Sequence, residues 1–128
     1  MRVLLDTHAL LWWLAGDTRL SNDARETIGN PGTVVLISAA SAWEIATKVR
    51  IGKLPGAAEI APELGNHLRD QEFIELPITV THGQRAGLLP GPHKDPFDRM
   101  LIAQAQSENV PVVSNDAVFD AYAIPRIW

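Results

Sequence analysis

No cysteine occurs among these 128 residues, so the chain can build neither a disulfide framework nor a thiolate zinc site. That absence suits a reducing compartment, and a cytoplasmic location is expected. Long apolar runs are missing too. The longest, Ala9 to Ala15, has seven residues, whereas a membrane-crossing helix needs about 20. A soluble protein without a membrane partner is therefore expected. Nor does the start resemble a secretory leader, because Asp6 and His8 interrupt the apolar segment that follows Arg2. Positive charge is also in short supply. The formal net charge is −4, which argues at first against nucleic acid, since phosphate binding normally requires a basic face.

What is present is a hydrophobic content of 46%, enough for a core, in a length typical of one domain, taken as residues 1–128. Period and punctuation predict a strand from Arg2 to Leu5 and a helix from about His8 to Ala15, ended by Gly16-Asp17. Ser21 can cap a short helix to about Ile28. A second strand, Val34 to Ile37, leads into a helix from Ala39 or Ala40 to Arg50, stopped by Gly52. Ala57 to Gln71 reads as two short helices broken at Pro62, and Phe73 to Leu76 as a strand. Thr79 to Ala86 forms a further helix, and Pro96 to about Ser107 a strong one with a wide apolar face. Pro111 to Val113 is a strand, Ala117 to Tyr122 a short helix, and Arg126 to Trp128 can close the sheet. Strands alternating with helices imply a parallel sheet covered on both faces.

Four acids stand out in that frame. Asp6 closes the run Val3-Leu4-Leu5 and Asp116 follows Val112-Val113-Ser114-Asn115, so both fall just past carboxyl ends of strands, the edge where open parallel sheets bind ligands. Asp98 lies in the opening turn of a helix, and Glu44 in the first half of another. Four carboxylates brought together repel, and cations are the usual remedy. Two divalent ions would cancel the formal charge of −4 and themselves attract phosphate. Two cations about 4 Å apart can activate water and stabilise a leaving oxyanion in phosphodiester hydrolysis. Oxygen ligands suit Mg²⁺ or Mn²⁺. Thr7 and Ser114 could add hydroxyl contacts, and Lys48, Arg50 and Arg99 could steer phosphate.

Each of these residues also has an ordinary employment. Asp6, Asp95 and Asp116 precede helices, where a capping aspartate stabilises by roughly 1 kcal/mol. Asp95-Pro96-Phe97-Asp98 resembles a capping box with proline at the first helical position. Glu44 has Lys48 four residues on, the spacing of a surface ion pair. His8 and His93 match no zinc spacing and read as structural hydrogen-bonders, and His67 and His82 as surface residues. Trp12 and Trp13 point about 100° apart on a helix, so one can enter the core while the other lines a partner groove.

Four segments in order, Leu5 to Trp13, Ser41 to Leu54, His93 to Ala105 and Ser114 to Asp116 with Phe119 and Tyr122, closely resemble the PIN-domain ribonucleases, specifically the VapC-like toxins of bacterial and archaeal toxin–antitoxin pairs. The resemblance implies a three-layer α/β/α domain with a central parallel sheet of four or five strands. It implies that Asp6, Glu44 and Asp98 bind Mg²⁺ or Mn²⁺, with Asp116 as the fourth acid and Asp95 in support. It also implies an RNA substrate, a homodimer and a cognate antitoxin filling a groove near the Trp12-Trp13 helix and the helices between Ala57 and Arg69. Asn115 departs from relatives, which often carry a basic or another residue there. The expectation is therefore a metal-dependent endoribonuclease, a hydrolase that inhibits translation as the toxin of a type II pair. The alternative is an antitoxin-binding regulatory module with weak or no nuclease activity. A phosphatase with an aspartyl nucleophile fits less well, because Asp6-Thr7-His8 lacks a second aspartate two residues on.

Overall fold

A computed structural model describes the whole chain, residues 1–128. Five strands form one sheet: β1 (Arg2–Leu5), β2 (Val34–Ser38), β3 (Ile74–Leu76), β4 (Val112–Val113) and β5 (Arg126–Ile127). Their order is β3-β2-β1-β4-β5 and every pairing is parallel. The chain lays β2 and β3 to one side of β1, then crosses back to place β4 and β5 on the other. The reversal puts a crevice beyond the carboxyl ends of β1 and β4, where strand order switches and where parallel sheets hold ligands.

Alternation along the strands divides the core. Val3, Leu5, Val35, Ile37 and Val113 face one side, packing with Leu10 and Leu11 of α1 (Thr7–Ala15), Ala24 and Ile28 of α2 (Asn22–Gly29), Ile45 of α3 (Ala39–Arg50), and Leu64 and Leu68 of α4 (Leu64–Asp70). Leu4, Leu36, Leu76 and Val112 face the other, against Leu101, Ile102 and Ala105 of α6 (Pro96–Glu108) and Phe119 of a 3₁₀ segment (Ala117–Tyr122). A period of two in the strands thus requires cover on both faces, and the result is three α/β/α layers. The remaining helix, α5 (Val80–Leu88), packs on α6.

Local chemistry sets most boundaries. Asp6, Ser21, Ser38, Thr79 and Asp95 each accept a backbone N–H as helix caps, and Gly16 ends α1 at φ 63°. Two expectations change. Pro62 does not break a helix; it sits in a 3₁₀ turn (Ala61–Glu63) that runs straight into α4, because proline lacks only an N–H that an opening turn leaves free. His82 is not a surface residue. It is 5% exposed, its Nδ1 accepts the Thr79 N–H to complete a capping box, and Gln104 lies 3.3 Å away.

Candidate metal centre

Each acid is delivered by a different part of the chain. Asp6 joins β1 to α1, and Asp116 joins β4 to the 3₁₀ segment at the same sheet edge. Glu44 lies one turn into α3, and Asp98 in the first turn of α6. All four line one cavity of about 370 Å³ at the switch-point crevice, together with Thr7, Lys48, Asp95 and Asn115. Trp12 is its only apolar wall, and His8 completes the rim. Trp12 also packs against Trp128 and His8, with the Arg19 guanidinium over its ring. Trp13 diverges from it, packing on Phe73 and donating its Nε1–H to Gln71 at 2.9 Å.

Burial is uneven across the acids. Asp6 and Glu44 are buried, Asp98 and Asp95 are half-buried, and Asp116 is exposed. Asp6 Oδ1 accepts the Ala9 N–H at 2.7 Å. Burial raises the Asp6 pKa above the ordinary carboxylate value, hydrogen bonds from Ser114 and Ala9 pull it back in part, and the Asp98 charge adds to the rise. Burial likewise raises Asp98, which accepts from His93 Nε2 at 3.0 Å and feels the charges of Asp95 and Asp116. Glu44 is held at both oxygens. Thr7 Oγ1 donates to Oε1 at 2.6 Å, and the Lys48 ammonium pairs with Oε2. That hydrogen bond, with the negative charges of Asp95 and Asp98, raises the Lys48 pKa.

The set fits a hard divalent cation in kind. Its wall offers carboxylate, hydroxyl and amide oxygens and no sulfur, and two of its carboxyls, Asp6 and Asp98, are pushed toward protonation by desolvation first and by neighbouring acids second. Its side chains are not preassembled around a common point: no group of three or more acids or histidines is placed to hold an ion as it stands. Several of them are paired within the protein, Glu44 with Lys48, Asp98 with His93, and Asp116 Oδ1 with the Val118 N–H at 3.0 Å.

The remaining sequence candidates separate. Ser114 lies behind the cavity, fully buried, and its Oγ accepts the Asp116 N–H at 2.9 Å while it also bonds Asp6. Arg50 is exposed at the end of α3, outside the cavity. Arg99 is turned away from the cavity altogether. Its guanidinium donates to the carbonyls of Ala86, His93, Leu89 and Gly87 at 2.7–3.4 Å. Four backbone acceptors leave little of that fork for a phosphate. Sequence reasoning missed Ser41, which is buried and 3.0 Å from Thr7 Oγ1. Its signal was the three-residue spacing to Glu44 on one helix face.

Comparison with known proteins follows the same lines. The family model described as the PIN domain matches residues 3–125. No curated protein matches the sequence. Among solved structures, VapBC2 from Rickettsia felis, bound to a DNA fragment from its promoter, is 14% identical over the full length of both chains with a TM-score of 0.72. VapC20 of Mycobacterium tuberculosis, a toxin that cleaves the sarcin–ricin loop, is 18% identical over 95% of each chain with a TM-score of 0.68. A toxin–antitoxin complex from Klebsiella pneumoniae is 18% identical over 93% of this chain and 90% of that one, with a TM-score of 0.65. At these identities the likeness is one of fold.

Proposed function

The chain belongs to the PIN-domain family, and from that premise we propose that it is a Mg²⁺- or Mn²⁺-dependent endoribonuclease, the toxin of a type II pair, which arrests translation by cutting a structured RNA. The observation that carries this reading is the meeting of Asp6, Glu44, Asp98 and Asp116, from four separate parts of the chain, on one cavity wall at the switch point of the sheet. Asp6, Glu44 and Asp98 would hold the ion, and Asp116 would support it or a second one. When bound, a divalent cation supplies a nucleophile deprotonated near neutral pH and charge stabilisation for the leaving oxygen.

The chain's own residues prepare for that chemistry. Thr7 fixes one oxygen of Glu44, and Ser41 holds Thr7 from behind. Ser114 and the Ala9 N–H orient Asp6, while Asp95 caps α6 through the N–H groups of Phe97 and Asp98 and so fixes the turn that carries Asp98. Lys48 is the cation on the cavity wall available to a phosphate, and Arg50 stands where flanking RNA backbone can pass. Arg99 serves the scaffold instead. A single domain, a cytoplasmic setting, a homodimeric assembly and a cognate antitoxin complete the proposal. The complexes of VapBC2 and of the Klebsiella pneumoniae pair support the last of these.

The test is incubation of purified, antitoxin-free protein with total cellular RNA and Mg²⁺ or Mn²⁺, beside EDTA and Asp6→Asn controls. Discrete fragments that require both metal and Asp6 are expected. If folded protein that binds metal yields no fragments, the nuclease reading gives way to a regulatory module that acts only through its antitoxin.

A further inference from the structure

We propose that Lys48 is a built-in counter-cation of this centre: its ammonium holds the charge position that a divalent ion takes over, so that ion binding and the Glu44–Lys48 pair exclude one another. The inference rests on the metal-dependent reading above. A Glu–Lys pair four residues apart on a helix is commonly an exposed contact worth a few tenths of a kcal/mol. This one differs in place. The Glu44 side chain is 7% exposed and that of Lys48 30%, and both line the acidic cavity rather than the outer face of α3.

Glu44 has its other oxygen taken by Thr7, so each carboxylate oxygen already has a donor. In the same structure no three acids are assembled for an ion. The charge of Lys48 also faces Asp95 and Asp98, which makes it the one ammonium placed among the acids of the cavity. An ammonium and a dication on one carboxylate repel strongly within a partly desolvated pocket. Ion binding therefore requires the ammonium to leave, and the flexible four-carbon stem lets it swing toward the cavity mouth. There it can meet a phosphate. Lys48 thus has two employments in succession, neutralising Glu44 without the ion and facing substrate with it, and by linkage the ion and a phosphate met by Lys48 each strengthen the other's binding.

The experiment is calorimetric titration of Mn²⁺ into the wild type, Lys48→Met, Lys48→Gln and, as a control for lost charge, Lys53→Met, which alters an exposed lysine outside the cavity. The two Lys48 variants are expected to bind about tenfold tighter, and the control to stay within about twofold of the wild type. In parallel, the Lys48 Nζ signal is followed by NMR during Mg²⁺ titration and is expected to shift in step with occupancy. Unchanged or weaker Mn²⁺ binding by both Lys48 variants, beside normal binding by the wild type, overturns the counter-cation role and leaves the metal centre standing. Absence of binding by wild type and variants alike removes the metal reading, and this inference with it.

Discussion

Asp6 serves two ends that pull against each other. As the cap of α1 it stabilises the fold, yet as a buried carboxylate whose pKa is raised by burial it costs stability when charged. Asparagine caps helices as well as aspartate, so Asp6→Asn isolates the charge. With metal chelated, the variant is expected to melt above the wild type at pH 7, by about 3–5 °C for each kcal/mol recovered. The gap should close as pH falls through the raised pKa. In that window the native carboxyl takes up its proton before the unfolded chain does, so the wild type gains stability relative to the variant. Mg²⁺ should raise the melting temperature of the wild type and not of the variant. Scanning fluorimetry across pH, with and without Mg²⁺, reads all three outcomes; a lower-melting variant at pH 7 would show that hydrogen bonding to the carboxylate outweighs its burial. At this scale the sequence was informative about the acids, whose positions beside strand ends and caps are local facts, and gave for Ser41 only its spacing to Glu44, since its importance depends on Thr7, 34 residues away.

Among elements, α5 and the loop that follows it depend on a residue in α6. Arg99 ties the C-terminal carbonyls of α5 and the Leu89–His93 stretch to the turn carrying Asp98. Arg99→Met leaves those carbonyls without their donor, and about 2 kcal/mol of stability should be lost, measurable as a lower urea midpoint. RNA affinity lost without that drop would return Arg99 to the phosphate-binding role suggested by its place in the sequence. Helix positions were legible because caps and apolar periods act within one turn. The job of Arg99 was not, since a long side chain beside Asp98 reaches solvent or scaffold with equal ease until α5 is packed.

For the molecule as a whole, charge decides how the RNA of the proposed function would be approached. The net charge is −4, and among basic side chains only Lys48 and His8 reach the cavity. Affinity should therefore depend steeply on Mg²⁺ and shallowly on monovalent salt, with a slope of log affinity against log salt of about −1 to −2. Fluorescence anisotropy with the wild-type protein and a labelled, phosphorothioate-substituted RNA that resists cleavage would measure it. A slope of about −5 or steeper would instead place the RNA on a basic surface away from this cavity.

The sequence by itself determined the alternation of strands and helices, the caps at Asp6, Ser21 and Asp95, the family, and the four acids as candidates. All of these follow from residues a few positions apart, where spacing alone fixes periodicity, cap geometry and motif. Tertiary structure decided the rest: the fifth strand's place beside β4, the burial of His82, the use of Pro62 to start a turn, Arg99 as a clamp, and the lodging of Lys48 among the acids of the cavity. Each depends on which distant segment packs opposite, and that is set only when the two faces of the sheet are covered and the crossover from β3 to β4 brings four remote carboxylates to one edge.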